Sequence, residues 1–369
     1  MPTMRVPTSS TFGACDAFGL DPAELASAAK TGESTFSELQ RPWRWHAERP
    51  ALGANLGERV RALGAELPRV VLRRASADGS HKLLLAFPRD GARVEAVHMP
   101  RDVGGGRVTL CVSSQVGCAL GCDFCATGAL GLTRHLDAGE IVAQILVALR
   151  ELGPRHPGEL TLVFMGMGEP LHNFDAVARA VRVLTEPRGL GLSPRRITVS
   201  TAGLVPRIDA FARLERRPLL AVSLNATTNA LRDALMPINR RYPLASLVAA
   251  LERFPLRARE RVTVEYVLLA GVNDAPDDAV RLAELCAGFP HQINLIPFNA
   301  RPGSPHRAPS DGAVDAFARA LLSRRPTVVT VRRSRGRDID GACGQLVAAE
   351  ALAGAARTGL TAASGANFA

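Results

Sequence analysis

Lysine is nearly missing from this chain. Lys30 and Lys82 are its two lysines, so the formal net charge of +10 rests on arginine. Guanidinium groups favour phosphate backbones, but an arginine-rich, lysine-poor composition also follows from a GC-rich genome. Charge alone therefore leaves nucleic acid binding open. The runs Arg332-Arg333-Ser334-Arg335-Gly336-Arg337 and Arg240-Arg241 lean toward it. Aromatic residues are scarce at 5%, while 47% of the chain is apolar. The core must then be mostly Ala, Leu and Val, as in an ordinary α/β protein large enough for one core plus a small accessory domain. No run of eighteen apolar residues occurs, so no membrane span is expected. The opening MPTMRVPTSSTFGACDAFGL lacks an apolar h-region and does not read as a secretory signal. A cytoplasmic protein is the expectation.

A fourth clustered cysteine and a second paired motif are lacking too. The seven cysteines are 15, 111, 118, 122, 125, 286 and 343. An odd count in a cytosolic chain argues against a disulfide framework. Three of them form Cys118-Ala-Leu-Gly-Cys122-Asp-Phe-Cys125, a CxxxCxxC motif. Three thiolates can hold three irons of a cubane and leave the fourth open. Ferredoxin runs instead have two-residue gaps and a fourth Cys. Soft thiolates also suit zinc, but structural zinc wants a fourth ligand, and no second CxxC or HxxxH exists here. Gly117 and Gly121 let the loop wrap closely around whatever it holds. An iron–sulfur cluster, zinc and unligated thiols are the three readings, and the missing fourth ligand favours the first.

Residues 1 to about 90 differ in rhythm from the rest. They carry a turn-rich start, a weak helical stretch near 54–65, and expected strands at 69–75 and 82–87. We read them as a small N-terminal accessory domain. Glycines 104–106 suggest a loop insertion. From about 107 strand and helix alternate. Apolar, β-branched runs recur at 108–114, 160–166, 196–203, 219–225, 262–269 and 293–298. Helical patterns lie between and after them: from Asp137, with Glu140 as its capping-box partner, to about Leu152, then near 174–185, 205–214, 244–253, 276–287 and 311–323. Alternation of this kind implies a parallel sheet with helices outside. Six units fit a partial or full β/α barrel, whose chemistry sits at the C-terminal strand ends. Gly168, Glu169, Ser200, Ser223, Asn225 and Asn299 fall there. The small, polar stretch 354–369 is expected to be frayed.

The cysteine motif, with Phe124 before its last Cys and a strand ahead of it, resembles the radical SAM (S-adenosylmethionine) superfamily. Further segments extend the likeness: LCVSSQVGCALGCDFCATGALGLTRHL, FMGMGEPLHNFDAV, VSTAGLVP, LRDALMPINRRYPL, VLLAGVNDA, INLIPFN and DIDGACGQL. Together they resemble the RlmN/Cfr family of RNA methyltransferases over about 95–350.

That resemblance implies a partial (β/α)6 barrel spanning 91–353. It implies a [4Fe–4S] cluster on Cys118, Cys122 and Cys125, with the open iron chelating SAM. It implies that Cys343 accepts a methyl group from one SAM, and that a radical from a second SAM activates that methyl for addition to an electron-poor adenine carbon. Cys111 would then remove the ring proton and close a transient disulfide with Cys343. Gly168 and Glu169, in GMGEP, would meet the SAM amino group. Ser200, Ser223, Asn225 and Asn299 would meet its ribose and carboxylate. Glu95, in VEAVHMP, resembles a family glutamate assigned as proton acceptor. An external electron donor such as flavodoxin or ferredoxin, a monomeric state, and an RNA substrate complete the picture: 23S rRNA, with tRNA as a second candidate.

Two departures stand out. Position 225 is Asn where the family usually carries His. The amino-terminal RNA-gripping region is faint, around Arg41-Pro-Trp-Arg-Trp-His46. Carbon 2 of adenosine is the favoured target. Carbon 8, or another RNA, is the alternative, and a non-catalytic zinc-bound RNA-binding protein is the alternative of a different class.

Overall fold

The computed structural model describes residues 15–29, 36, 66–101, 107–151, 160–300, 303–324, 327–332 and 335–346. The expected helix near 54–65, glycines 104–106, the Arg41–His46 segment and the 354–369 tail lie outside these residues.

Parallel strands covered on both faces must be apolar nearly throughout, and the runs seen in the sequence form them. They are β4 (Val108–Cys111), β7 (Leu160–Phe164), β8 (Ile197–Thr201), β9 (Leu219–Ser223), β10 (Val262–Leu268) and β11 (His291–Pro297). Each pairs in parallel with the next. A seventh parallel strand, β12 (Val328–Val331), adds to β11. It is four residues long and half exposed, so its sequence carries no buried-strand signature.

Three antiparallel strands extend the other edge: β1 (Arg69–Ala75), β2 (His81–Ala86) and β3 (Arg93–Pro100). The result is one ten-stranded sheet in the order β1-β2-β3-β4-β7-β8-β9-β10-β11-β12. The strands expected at 69–75 and 82–87 are thus continuous with the barrel sheet, and β2 and β3 pair across position 90. A small antiparallel ribbon, β5 (Gln115–Gly117) with β6 (Leu132–His135), stands apart.

The described helices are α1 (Pro22–Ala29), α2 (Ala126–Ala129), α3 (Ala138–Glu151), α4 (Phe174–Leu184), α5 (Val205–Ala212), α6 (Asn229–Leu235), α7 (Leu244–Glu252), α8 (Pro276–Leu285) and α9 (Asp311–Arg324). The capping signal before α3 is real: Glu140 accepts the Asp137 backbone N–H at 2.9 Å. Residues 138–149 of α3 are all buried, because the 15–20 segment lies over the face turned from the sheet. Gly139 permits that contact; a Cβ there would clash with the Cys15 carbonyl oxygen. The short helix α6 adds to the expected set. Its cap is Thr228, whose hydroxyl accepts the Leu231 N–H at 3.4 Å. Among the described residues no helix is long and apolar enough to cross a membrane.

Candidate active site

A cavity of about 160 Å³ opens at the carboxyl ends of the parallel strands. Every predicted site residue except Cys111 and Glu95 lines it.

The loop after β5 brings in the three clustered cysteines. Gly117 adopts φ +78° and a Cβ there would clash with the Gly131 carbonyl, so only glycine lets the ribbon close. Cys118 donates its backbone N–H to that same carbonyl at 2.8 Å, and the Cys125 N–H reaches the Cys122 carbonyl at 3.0 Å. All three side chains are partly exposed and pack beside Leu120, Phe124 and Met236. Burial is the main reason that the Cys122 thiol is pushed well up, with the charges of Cys125 and Cys118 next. Among the described residues no three His, Cys, Asp or Glu side chains converge as the ligands of one ion do. Three thiols spread around one cavity instead suit a cubane, in which each thiolate takes its own iron. The donor set therefore fits a cluster better than zinc.

Glu169 follows β7 through Gly168, which sits at φ +98° with its missing Cβ pressed against Gln115. Gln115 Oε1 in turn accepts the Glu169 N–H at 2.8 Å. The carboxylate is buried and accepts the N–H groups of Leu171 at 3.0 Å and Ala202 at 2.8 Å. Burial raises its pKa to about 7, against those hydrogen bonds. An acidic group set in this way can receive a ligand cation.

Ser200 donates to Glu265 at 3.1 Å. Asn225 occupies the left-handed region at φ 58°, which Asn and His both tolerate better than most residues. Its amide is partly engaged already: Oδ1 accepts the Val267 N–H at 2.9 Å and Nδ2 reaches Met236 Sδ at 3.4 Å. Asn299 Nδ2 donates to the Cys343 carbonyl at 3.1 Å.

Cys343 stands on two cavities at once. It lines the main one, and it also lines a small neighbouring space with Cys111, Met165 and Arg332. Its segment is tied to the cysteine loop: the Ala126 N–H donates to the Gly344 carbonyl at 2.8 Å, and Thr127 Oγ1 to the Leu346 carbonyl at 2.7 Å. Cys111, the last residue of β4, is buried, and burial pushes its thiol up to about 12. Glu95 lines neither space. It lies on β3, buried beside Lys82 at 3.2 Å, with Oε2 lacking a hydrogen-bond partner among the described residues. Lys82 also donates to the Asp340 carbonyl at 3.1 Å, so the pair touches the Cys343 segment from behind.

Three further residues matter that the sequence does not place in the site. Glu265 is an acid inside the apolar run VTVEYVLL, a visible but unused signal; it lines the main cavity. Arg232, fully buried, donates to the carbonyls of Leu224 at 3.0 Å, Ala202 at 2.6 Å and Ser223 at 3.2 Å, pinning the ends of β8 and β9. Arg332 belongs to a run that suggests an RNA-facing surface. Its side chain instead turns into the barrel mouth, 3.8 Å from Glu265.

A parallel β/α barrel with three loop thiols lining a cavity at its mouth is the architecture of a radical SAM enzyme. The chain matches the Radical SAM superfamily over residues 112–283. It is 50% identical over 344 residues to the dual-specificity RNA methyltransferase RlmN of Anaeromyxobacter sp., covering 89% of each chain. To the protein of the same name from Geobacter sulfurreducens it is 53% identical over 271 residues, covering 73% of this chain and 72% of that one. A crystal structure of a radical SAM methyltransferase from Sphaerobacter thermophilus superposes with a TM-score of 0.81 at 41% identity, over 91% of this chain and 99% of that one. The chain belongs to the RlmN/Cfr family of radical SAM RNA methyltransferases. Membership implies a [4Fe–4S] cluster, SAM and an RNA substrate.

Proposed function

We propose that this enzyme methylates carbon 2 of an adenosine in 23S rRNA, and in tRNA as a second substrate, consuming two SAM molecules per turnover. The observation that carries the reading is the position of Cys343, shared between the cavity of the three loop cysteines and the space that holds Cys111. A methyl carrier needs both neighbours.

In this reading Cys118, Cys122 and Cys125 hold the cluster. When bound, the cluster and SAM supply the radical that activates a methyl group for attachment to an electron-poor ring carbon. Glu169 and the Gly168 backbone receive the SAM amino group. Ser200, Ser223, Asn225 and Asn299 contact the rest of SAM, with Asn299 also fixing the Cys343 backbone. Cys343 carries the methyl as a thioether. Cys111 takes the ring proton and then attacks the Cys343 sulfur: the carbon–sulfur bond breaks, the released carbon keeps its electron pair and takes a proton to become the methyl group, and a disulfide with Cys343 forms as product leaves. Glu95, paired with Lys82 behind the Cys343 segment, serves as a further proton acceptor. The first 90 residues assist RNA binding, and a flavodoxin or ferredoxin supplies electrons to a monomeric enzyme.

Mass spectrometry of RNA from a strain without the gene tests the target. Loss of 2-methyladenosine from 23S rRNA and tRNA, restored by the gene, is expected. Loss of 8-methyladenosine instead overturns the carbon-2 reading. Cys111→Ala tests the pairing: it should trap a nuclease-sensitive protein–RNA crosslink through Cys343, absent from the double mutant. Normal turnover by Cys111→Ala overturns the disulfide step.

A further inference from the structure

The small space between Cys111 and Cys343 contains one more functional group that the reaction has not used. Arg332 follows β12, where its backbone N–H donates to the Leu295 carbonyl at 2.8 Å. That bond aims the side chain inward, over Met165 Sδ at 3.6 Å. The guanidinium therefore shares its walls with both thiols. The charged and titratable neighbours of this space come from three elements. Cys111 comes from β4, Glu265 from β10, and Cys343 and Arg335 from the carboxyl-terminal segment. Arg335 is engaged by the Pro100 carbonyl. Glu265 faces Arg332 with Oε1, which has no hydrogen-bond partner among the described residues, while its Oε2 accepts from Ser200.

We propose that Arg332 is a positioning residue for the thiol pair: its guanidinium offsets the burial of the Cys111 sulfur and favours its thiolate beside Cys343, while Glu265, 3.8 Å from the guanidinium, works against it. The inference rests on the functional reading above, in which both cysteines act as thiolates. The need is physical. Burial alone pushes the Cys111 thiol up, and the nearby Cys343 charge pushes it further; Arg332 and the Met165 backbone N–H act in the opposite direction. Cys111 is buried, and a cation beside a buried sulfur has a much larger effect than one at the surface. The interaction is reciprocal: the charges of Cys343, Glu265 and Cys111 hold the Arg332 pKa above its ordinary value, against burial. A lysine can supply the same charge; an uncharged side chain of similar size cannot.

The test reads thiolate content directly. Holoenzyme, with its cluster cysteines occupied, is alkylated with iodoacetamide from pH 6 to 10, and Cys111 is followed by peptide mass spectrometry. Arg332→Gln should move the Cys111 profile to higher pH, lowering its rate about tenfold across this range for each pKa unit gained. Arg332→Lys should restore most of the difference. Glu265→Gln keeps the inference testable if Arg332→Gln fails to load its cluster: removing an anion that raises the Cys111 pKa should move its profile to lower pH. Profiles of Arg332→Gln that superimpose on wild type, or a Glu265→Gln profile that stays put or moves up, overturn the proposal. A wild-type enzyme that methylates no RNA overturns the functional reading instead, and leaves these profiles as they are.

Discussion

The side-chain amide of Asn299 holds the backbone of Cys343, donating to its carbonyl at 3.1 Å. From the opposite side the Ala126 N–H and the Thr127 hydroxyl hold Gly344 and Leu346. The segment carrying Cys343 is therefore strung between the end of β11 and the helix that closes the cysteine loop. Ordinary hydrogen bonds thus join the cysteine loop to the Cys343 segment.

Asn299→Ala should loosen Cys343 without touching a cluster ligand. A lost hydrogen bond of this kind is worth about 1 kcal/mol, so the rate of Cys343 methylation should fall roughly fivefold. Iron content should stay at the wild-type level. Peptide mass spectrometry of Cys343 and iron analysis check both halves. A methylation rate equal to wild type would show that the bond does not position the sulfur.

Gly168→Ala should cost more. The glycine lies at φ +98°, and an added Cβ would stand 2.5 Å from Gln115 Cβ. Gln115 cannot retreat freely, since its Oε1 holds the Glu169 N–H. Strain in a conformation that L residues rarely adopt is on the order of 1–3 kcal/mol. SAM affinity should drop by roughly five- to a hundredfold, measured by equilibrium dialysis on reconstituted enzyme. Unchanged affinity would remove Gly168 from the SAM site.

Much of this site was legible because its residues interrupt patterns. Cysteines spaced CxxxCxxC and polar residues ending apolar strands stand out against a core of Ala, Leu and Val. The six buried parallel strands were legible for the same reason, since strands buried on both faces are nearly all apolar. Strand β12 was not, because its half-exposed residues read like a linker. Arg332 misled for a related reason. A run of arginines looks like a surface, and only the parallel pairing of β12 with β11 turns its first member inward. Arg232 was hidden in another way: its value lies in three carbonyls that no sequence pattern reports.

Asn225→His should be tolerated, while Asn225→Val should not. The position lies at φ 58°, where His is acceptable and a β-branched side chain is strained. Its side chain must also accept the Val267 N–H, which an imidazole nitrogen can do and valine cannot. The valine change combines backbone strain with an unpaired buried donor, about 2–4 kcal/mol in all. Thermal unfolding of the three proteins checks this. Equal midpoints for Asn225→Val and wild type would show that the residue is not held by its backbone conformation.

Glu95 should make stability fall as pH rises through neutrality. Burial raises its carboxyl to about 7, against the pull of Lys82. In the unfolded chain the group returns to its ordinary value of 4.5. Between those values the folded protein binds more protons than the unfolded one, so stability falls as pH rises. The contribution of protonated Glu95 is fully present below about pH 4.5 and is lost as pH climbs through 7. At about 1.36 kcal/mol per unit, the window is worth on the order of 3 kcal/mol. Glu169, with a pKa also raised to about 7, gives a slope of the same sign, so wild type alone cannot apportion the effect. Glu95→Gln isolates it. Glutamine keeps the shape of the protonated acid and cannot ionise, so the variant should gain stability relative to wild type as pH rises from about 5 to about 8. At the upper end it also leaves Lys82 without its carboxylate partner, which trims the gain. Urea unfolding at unit steps across that range gives the difference curve directly. A difference that stays flat throughout would mean that Glu95 ionises normally in the folded protein.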